Sequence, residues 1–136
     1  MMRQRRIWLG GLVTVLVLAV MAMACSQSTP TTVTLSAQDD GRTITLRTRD
    51  TLIIELEGNP TTGFSWEVGT VDEAVLAPQG EPSYTATETA LVGSGGVFAF
   101  TFKAARRGQT ALQLVYHRSW EEAAPAETFD LTVIVN

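Results

Sequence analysis

Apolar and polar residues alternate along most of this chain with a period of two, the spacing of a strand with one face on a core and the other toward solvent. Phe98, Phe100 and Phe102 alternate with Ala99, Thr101 and Lys103, and Phe129, Leu131, Val133 and Val135 alternate with Asp130, Thr132 and Ile134. The same period runs through Leu52, Ile54 and Leu56, then resumes at Phe64, Trp66 and Val68. Residues 32–36, 43–47 and 111–117 give further short runs, and 84–88 a weaker one. Asp40-Gly41 carries the chemistry of a hairpin turn, and only 71–76 hints at a turn of helix. Seven or eight short strands with turns at regular spacing predict an all-β fold, an antiparallel β-sandwich. No internal repeat or second domain is discernible.

Ahead of these strands the pattern changes. Residues 1–24 read as a signal peptide, with Arg3, Arg5 and Arg6 before an apolar stretch from Ile7 to Val20. Ala22-Met23-Ala24 then leads into Cys25, the only cysteine, and this resembles the lipobox of bacterial lipoproteins, in which the cysteine is lipidated and becomes the mature N-terminus. The usual lipobox has leucine where Ala22 stands, so ordinary cleavage after Ala22 or Ala24 is the alternative. The expected organisation is a leader over 1–24, a lipidated Cys25 with a short polar tether over 25–31, and one domain over 32–136. The expected location is the outer side of a bacterial membrane, periplasmic or cell-surface.

A lone cysteine leaves no partner for an intrachain disulfide, so burial must stabilise the domain. Without the three leader arginines, seven basic residues face 14 acidic ones, a formal charge of −7. That charge argues against nucleic acid as a partner, and against membrane attachment by anything but the N-terminal lipid. Enzyme chemistry has little to work with. His117 is the only histidine, and Ser119 is two residues along the same segment, a poor geometry for a nucleophile and its base. His117 with Glu121 and Glu122 reads as a solvated loop rather than a metal site, and Asp39-Asp40-Gly41 as a turn. No cofactor and no metal are expected.

Three loops carry the candidate chemistry. In Asn59-Pro60-Thr61-Thr62-Gly63-Phe64, proline fixes one torsion, glycine permits a left-handed one and the threonines are stiff, so the loop shape is nearly predetermined. The pattern on either side reads as a hairpin-like corner at the end of a sheet. Val92-Gly93-Ser94-Gly95-Gly96 offers backbone with little side-chain bulk, suited to close approach by another surface. The third loop, 118–125, opens Arg118-Ser119-Trp120, and Trp120 is open to two readings, an exposed anchor or a core residue folded under the loop. In an immunoglobulin-like order of strands, such loops gather at one end.

These motifs in this order, over about 33–135, resemble the chagasin family of inhibitors of papain-like cysteine proteases. The resemblance implies an immunoglobulin-like β-sandwich, a monomer, that blocks the protease cleft reversibly and without covalent chemistry. It implies that Asn59, Pro60, Thr61, Thr62, Gly63 and Phe64 form the central loop, with Thr61, Thr62 and Gly63 nearest the protease's catalytic cysteine. Gly93, Ser94, Gly95 and Gly96 would follow one wall of the cleft, and Arg118 and Trp120 would grip the other, near the catalytic histidine. Two departures stand out: Ser119 replaces the proline of the usual Arg-Pro-Trp, which implies a less preorganised third loop, and Arg49-Asp50 stands where Gly-Asp is common. The alternative is a non-inhibitory immunoglobulin-like surface lipoprotein that binds a protein or envelope carbohydrate through the same loops.

Overall fold

The computed structural model describes residues 28–88 and 92–136; the leader and Cys25 lie outside the described residues. Nine strands follow one another among the described residues: β1 (Thr32–Ser36), β2 (Thr43–Leu46), β3 (Thr51–Gly58), β4 (Ser65–Thr70), β5 (Leu76–Pro78), β6 (Ser83–Ala86), β7 (Gly96–Ala104), β8 (Gly108–His117) and β9 (Glu127–Val135). They form two sheets. One runs β1-β3-β7 and ends in β5 and β6, which both pair with β7; the other runs β2-β9-β8-β4. The period-two rows close face to face on each other, as the sequence pattern requires. Leu52, Ile54, Leu56, Phe98, Phe100 and Phe102 from the first sheet meet Leu112, Leu114, Phe129, Leu131 and Val133 from the second, all buried.

Pairing within each sheet is antiparallel except at one edge, where β1 lies parallel to β3 and β2 parallel to β9. This is the sandwich the strand pattern predicts; a turn does form where the sequence hinted at one, the Val75 and Leu76 N–H groups donating to the Asp72 carbonyl at 3.0 and 2.9 Å, and Leu76–Pro78 follows it as an additional strand. The turn at Asp40-Gly41 does not make a hairpin: it carries the chain from β1 in one sheet to β2 in the other. Its acidic side chains are spent on backbone donors. Asp39 accepts from the Ser36 N–H at 2.9 Å and pairs with Arg42, while Asp40 accepts from the Asp130 N–H at 2.7 Å. Val68 is the exception on β4: beside a bulge, it stays 38% exposed at the open edge of the sandwich.

The turn between β2 and β3 closes the end opposite the candidate loops. Asp50 is buried there and accepts from the N–H groups of Thr31 and Arg47, both at 2.8 Å. Those two donors, Thr31 first, hold its carboxyl below the usual carboxylate range. Arg49 beside it takes φ 80°, and it is the only non-glycine residue with positive φ among the described residues. A side chain in that region is strained, so Arg49→Gly is expected to raise unfolding free energy by about 1 kcal/mol in urea titration. An unchanged or lower midpoint would show that the arginine's own contacts offset the strain.

Candidate functional site

Loop one is built around a single amide. Asn59 is extended (φ −133°, ψ 95°), as the residue before a proline must be, and Pro60 opens a short 3-10 turn over Pro60–Thr62. The Asn59 Oδ1 accepts from the Thr61 N–H at 3.1 Å and from the Thr61 hydroxyl at 2.6 Å. The Thr62 hydroxyl donates to the Asn59 carbonyl at 2.6 Å, and the Gly63 N–H closes the turn on the Pro60 carbonyl at 3.0 Å. Gly63 leaves the turn at φ 83°, the left-handed conformation that its lack of a Cβ allows. Pro60, Thr61 and Thr62 are exposed at the tip, while Asn59, Gly63 and Phe64 are half-buried at the base. The loop is not a hairpin tip, contrary to what the flanking alternation suggests: it arches from β3 in one sheet to β4 in the other.

The other two loops are tied to it. On one side, the Asn59 Nδ2 donates to the Gly93 carbonyl of loop two at 2.7 Å. On the other, the Arg118 Nε of loop three donates to the Thr62 carbonyl at 3.1 Å, and its guanidinium lies 4.4 Å from the centre of the Phe64 ring. Arg118 also pairs with Glu121 at 3.1 Å, and the Glu121 N–H donates to the Arg118 carbonyl at the same distance. That closed turn supplies order in a loop that lacks the usual proline at Ser119. Trp120 is 69% exposed, which rules out the core reading. Its indole edge covers Gly63 so closely that a Cβ there would lie 2.6 Å from the Trp120 Cη2.

The glycines of loop two divide by role. A Cβ on Gly95 would lie 2.8 Å from the Gly58 carbonyl, and one on Gly96 would run into the Thr85 carbonyl. Their close approach is therefore to this chain's own backbone, where the sequence suggested approach by a partner. Gly93, at φ 84°, has open space around it, and Ser94 is half-buried. Beneath the loops stands Tyr116, which the sequence reading passed over. Its hydroxyl accepts from the Asn59 N–H at 2.9 Å, and its ring packs on Phe64 and Trp66 at centroid distances of 5.3 and 5.1 Å. The signal was present: Leu112, Leu114 and Tyr116 form the inward row of one strand, and that row ends in a phenol where a loop amide needs an acceptor. His117 is used elsewhere, on Glu67 at 2.8 Å, and it does not meet Ser119 or Glu121 in any hydrogen bond.

A sandwich that gathers three loops at one end, the outer two each bonded to the central one and the third bearing an exposed tryptophan, defines a loop-presenting recognition domain. The sequence profile of the chagasin family peptidase inhibitors, I42, matches residues 45–133, and the chain belongs to that family. Amoebiasin-1 of Entamoeba histolytica is 32% identical over 103 residues, covering 74% of this chain and 97% of its own. Chagasin of Trypanosoma cruzi is 38% identical over 88 residues, covering 60% of this chain and 76% of its own. The fold is also that of the crystal structure of the cysteine protease inhibitor EhICP2 from Entamoeba histolytica, with a TM-score of 0.73 at 21% identity, over 80% of this chain and 99% of the other.

Proposed function

We propose that this domain inhibits papain-like cysteine proteases by lodging loop 59–64 in the active-site cleft, flanked by loops 92–96 and 118–125. The observation that carries the reading is the lacing of the three loops by Asn59 and Arg118, which leaves Thr61, Thr62 and Trp120 exposed on a preshaped edge. A rigid edge loses little conformational entropy on binding, so its contacts convert efficiently into affinity. Thr61, Thr62 and Gly63 face the catalytic cysteine, Gly93 to Gly95 follow one wall with the buried Gly96 closing the loop behind them, and Arg118 and Trp120 grip the other. The arch between sheets turns the backbone back on itself at Gly63, so no peptide bond lies extended across the nucleophile. Inhibition is reversible and needs no bond-making.

Inhibition of papain tests this directly. Thr62→Arg places a long cation on the tip while leaving the core untouched. It is expected to weaken inhibition at least about tenfold, about 1.4 kcal/mol, in a protein still folded by circular dichroism. An unchanged inhibition constant would favour a surface module that binds something other than a protease.

From the leader pattern we propose separately that the inhibitor is exported and held outside the cell by a lipid on Cys25. The mature protein is expected to partition into detergent and to lose that behaviour in Cys25→Ala. Mass spectrometry finding an unmodified Cys25, or a different mature start, would remove the anchor from the account.

A further inference from the structure

The acidic net charge conceals a polarised molecule. Of the seven basic residues after the leader, Arg47, Arg49, Lys103, Arg106 and Arg107 all lie at the end opposite the three loops, and all five are exposed. The ladders fix their common place. Thr51 at the start of β3 pairs with Lys103, the Arg49 N–H donates to the Ala104 carbonyl at 2.8 Å, and Gly108 after Arg107 pairs with the last residue of β9. None of the five forms an ion pair among the described residues, whose pairs use Arg42, His117 and Arg118. Asp50, Asp72 and Glu73 share this end, but Asp50 is buried under two backbone donors and Asp72 accepts from the Ala74 N–H. The other eleven acidic residues lie along the body and toward the loops, with only Arg42 and Arg118 among them.

The N-terminal segment reaches the domain at the same end. Thr31 donates its N–H to Asp50 and accepts from the Thr51 N–H at 2.9 Å, so residues 28–30 leave the sandwich beside the five cations. Six residue steps separate Thr31 from Cys25, a reach of at most about 20 Å. β3 alone, eight residues long, sets the loops a further 27 Å or so away along the sandwich.

We propose that this basic end is a contact surface for anionic phospholipid headgroups, which seats the domain upright on the bilayer and points the three loops away from it. The proposal builds on the lipid anchor at Cys25 and goes beyond it, since net charge alone argued for attachment by lipid only. The lipid on Cys25 sets the distance from the bilayer, and a basic patch adds a second, orientation-dependent attraction that a flexible tether alone does not supply. The acidic body is repelled by the same surface, so repulsion and attraction impose one orientation.

The test uses the chain from residue 25 onward with Cys25→Ala, which keeps every paired strand and the whole core. Sedimentation with vesicles of equal phosphatidylglycerol and phosphatidylcholine is expected to capture at least about tenfold more protein than pure phosphatidylcholine at low salt. Salt at about 0.5 M is expected to abolish the difference. The pair R106E and R107E is expected to remove it as well, with an unchanged unfolding midpoint and unchanged papain inhibition. Equal capture by both vesicles, or full capture of the charge-reversed variant, would overturn the inference, as would binding to soluble acidic polymers but not to anionic vesicles. Because this chain carries no lipid, its result is separate from the anchor: an unmodified native Cys25 alongside vesicle binding removes the lipid and keeps the surface.

Discussion

Gly63→Val is expected to damage both the fold and the inhibitor. At φ 83° a β-branched side chain is strained by about 2 kcal/mol even in open space, and the space here is closed by the Trp120 indole. Unfolding free energy should fall by at least that amount, and papain inhibition should weaken about a hundredfold, near 2.7 kcal/mol, because the turn and the tryptophan move together. A cycle separates the two causes. Gly63→Val in a Trp120→Ala background should cost less stability than in the parent by the part due to the collision, while the torsional part stays lost. Near-native inhibition by Gly63→Val would mean that the tip does not enter a protease cleft in this conformation.

Trp120→Ala gives the opposite signature. With 69% of the residue exposed, little core packing is at stake, and stability should change by under about 1 kcal/mol. Inhibition should weaken by about 2 kcal/mol or more, the size expected when a tryptophan at an interface is truncated. Unfolding midpoints measured beside inhibition constants decide the matter. A large loss of stability with little loss of inhibition would return Trp120 to a structural role over Gly63.

The strands were legible because alternation is a local property: Phe98, Phe100 and Phe102 announce their face without reference to any neighbour. Which sheet each strand joins is not local. Asp40-Gly41 has the same turn chemistry in a hairpin as in an arch, and the choice is made by where Leu35 and Leu46 find their burial. The loops were legible as compositions, but not as a unit. The bonds from Asn59 to Gly93 and from Arg118 to Thr62 span 34 and 56 positions, distances over which a single sequence carries no pairing signal. The inward row of Leu112, Leu114 and Tyr116 placed the Tyr116 ring, but not its hydroxyl's partner, since Asn59 lies 57 positions away. Charge was misleading in a simpler way: a sum over the chain has no direction, and the five cations acquire one only when β3, β7 and β8 bring them together.

Asn59 ties loop one to loop two through a side-chain amide, and such amides age. Spontaneous deamidation begins when the next backbone nitrogen loses its proton and attacks the side-chain carbonyl to form a cyclic imide. Here the next nitrogen belongs to Pro60, which has no proton to lose. The residue that shapes the turn therefore also blocks the reaction that would convert the Nδ2 donor to Gly93 into a carboxylate. The brace is guarded chemically by its own neighbour in sequence.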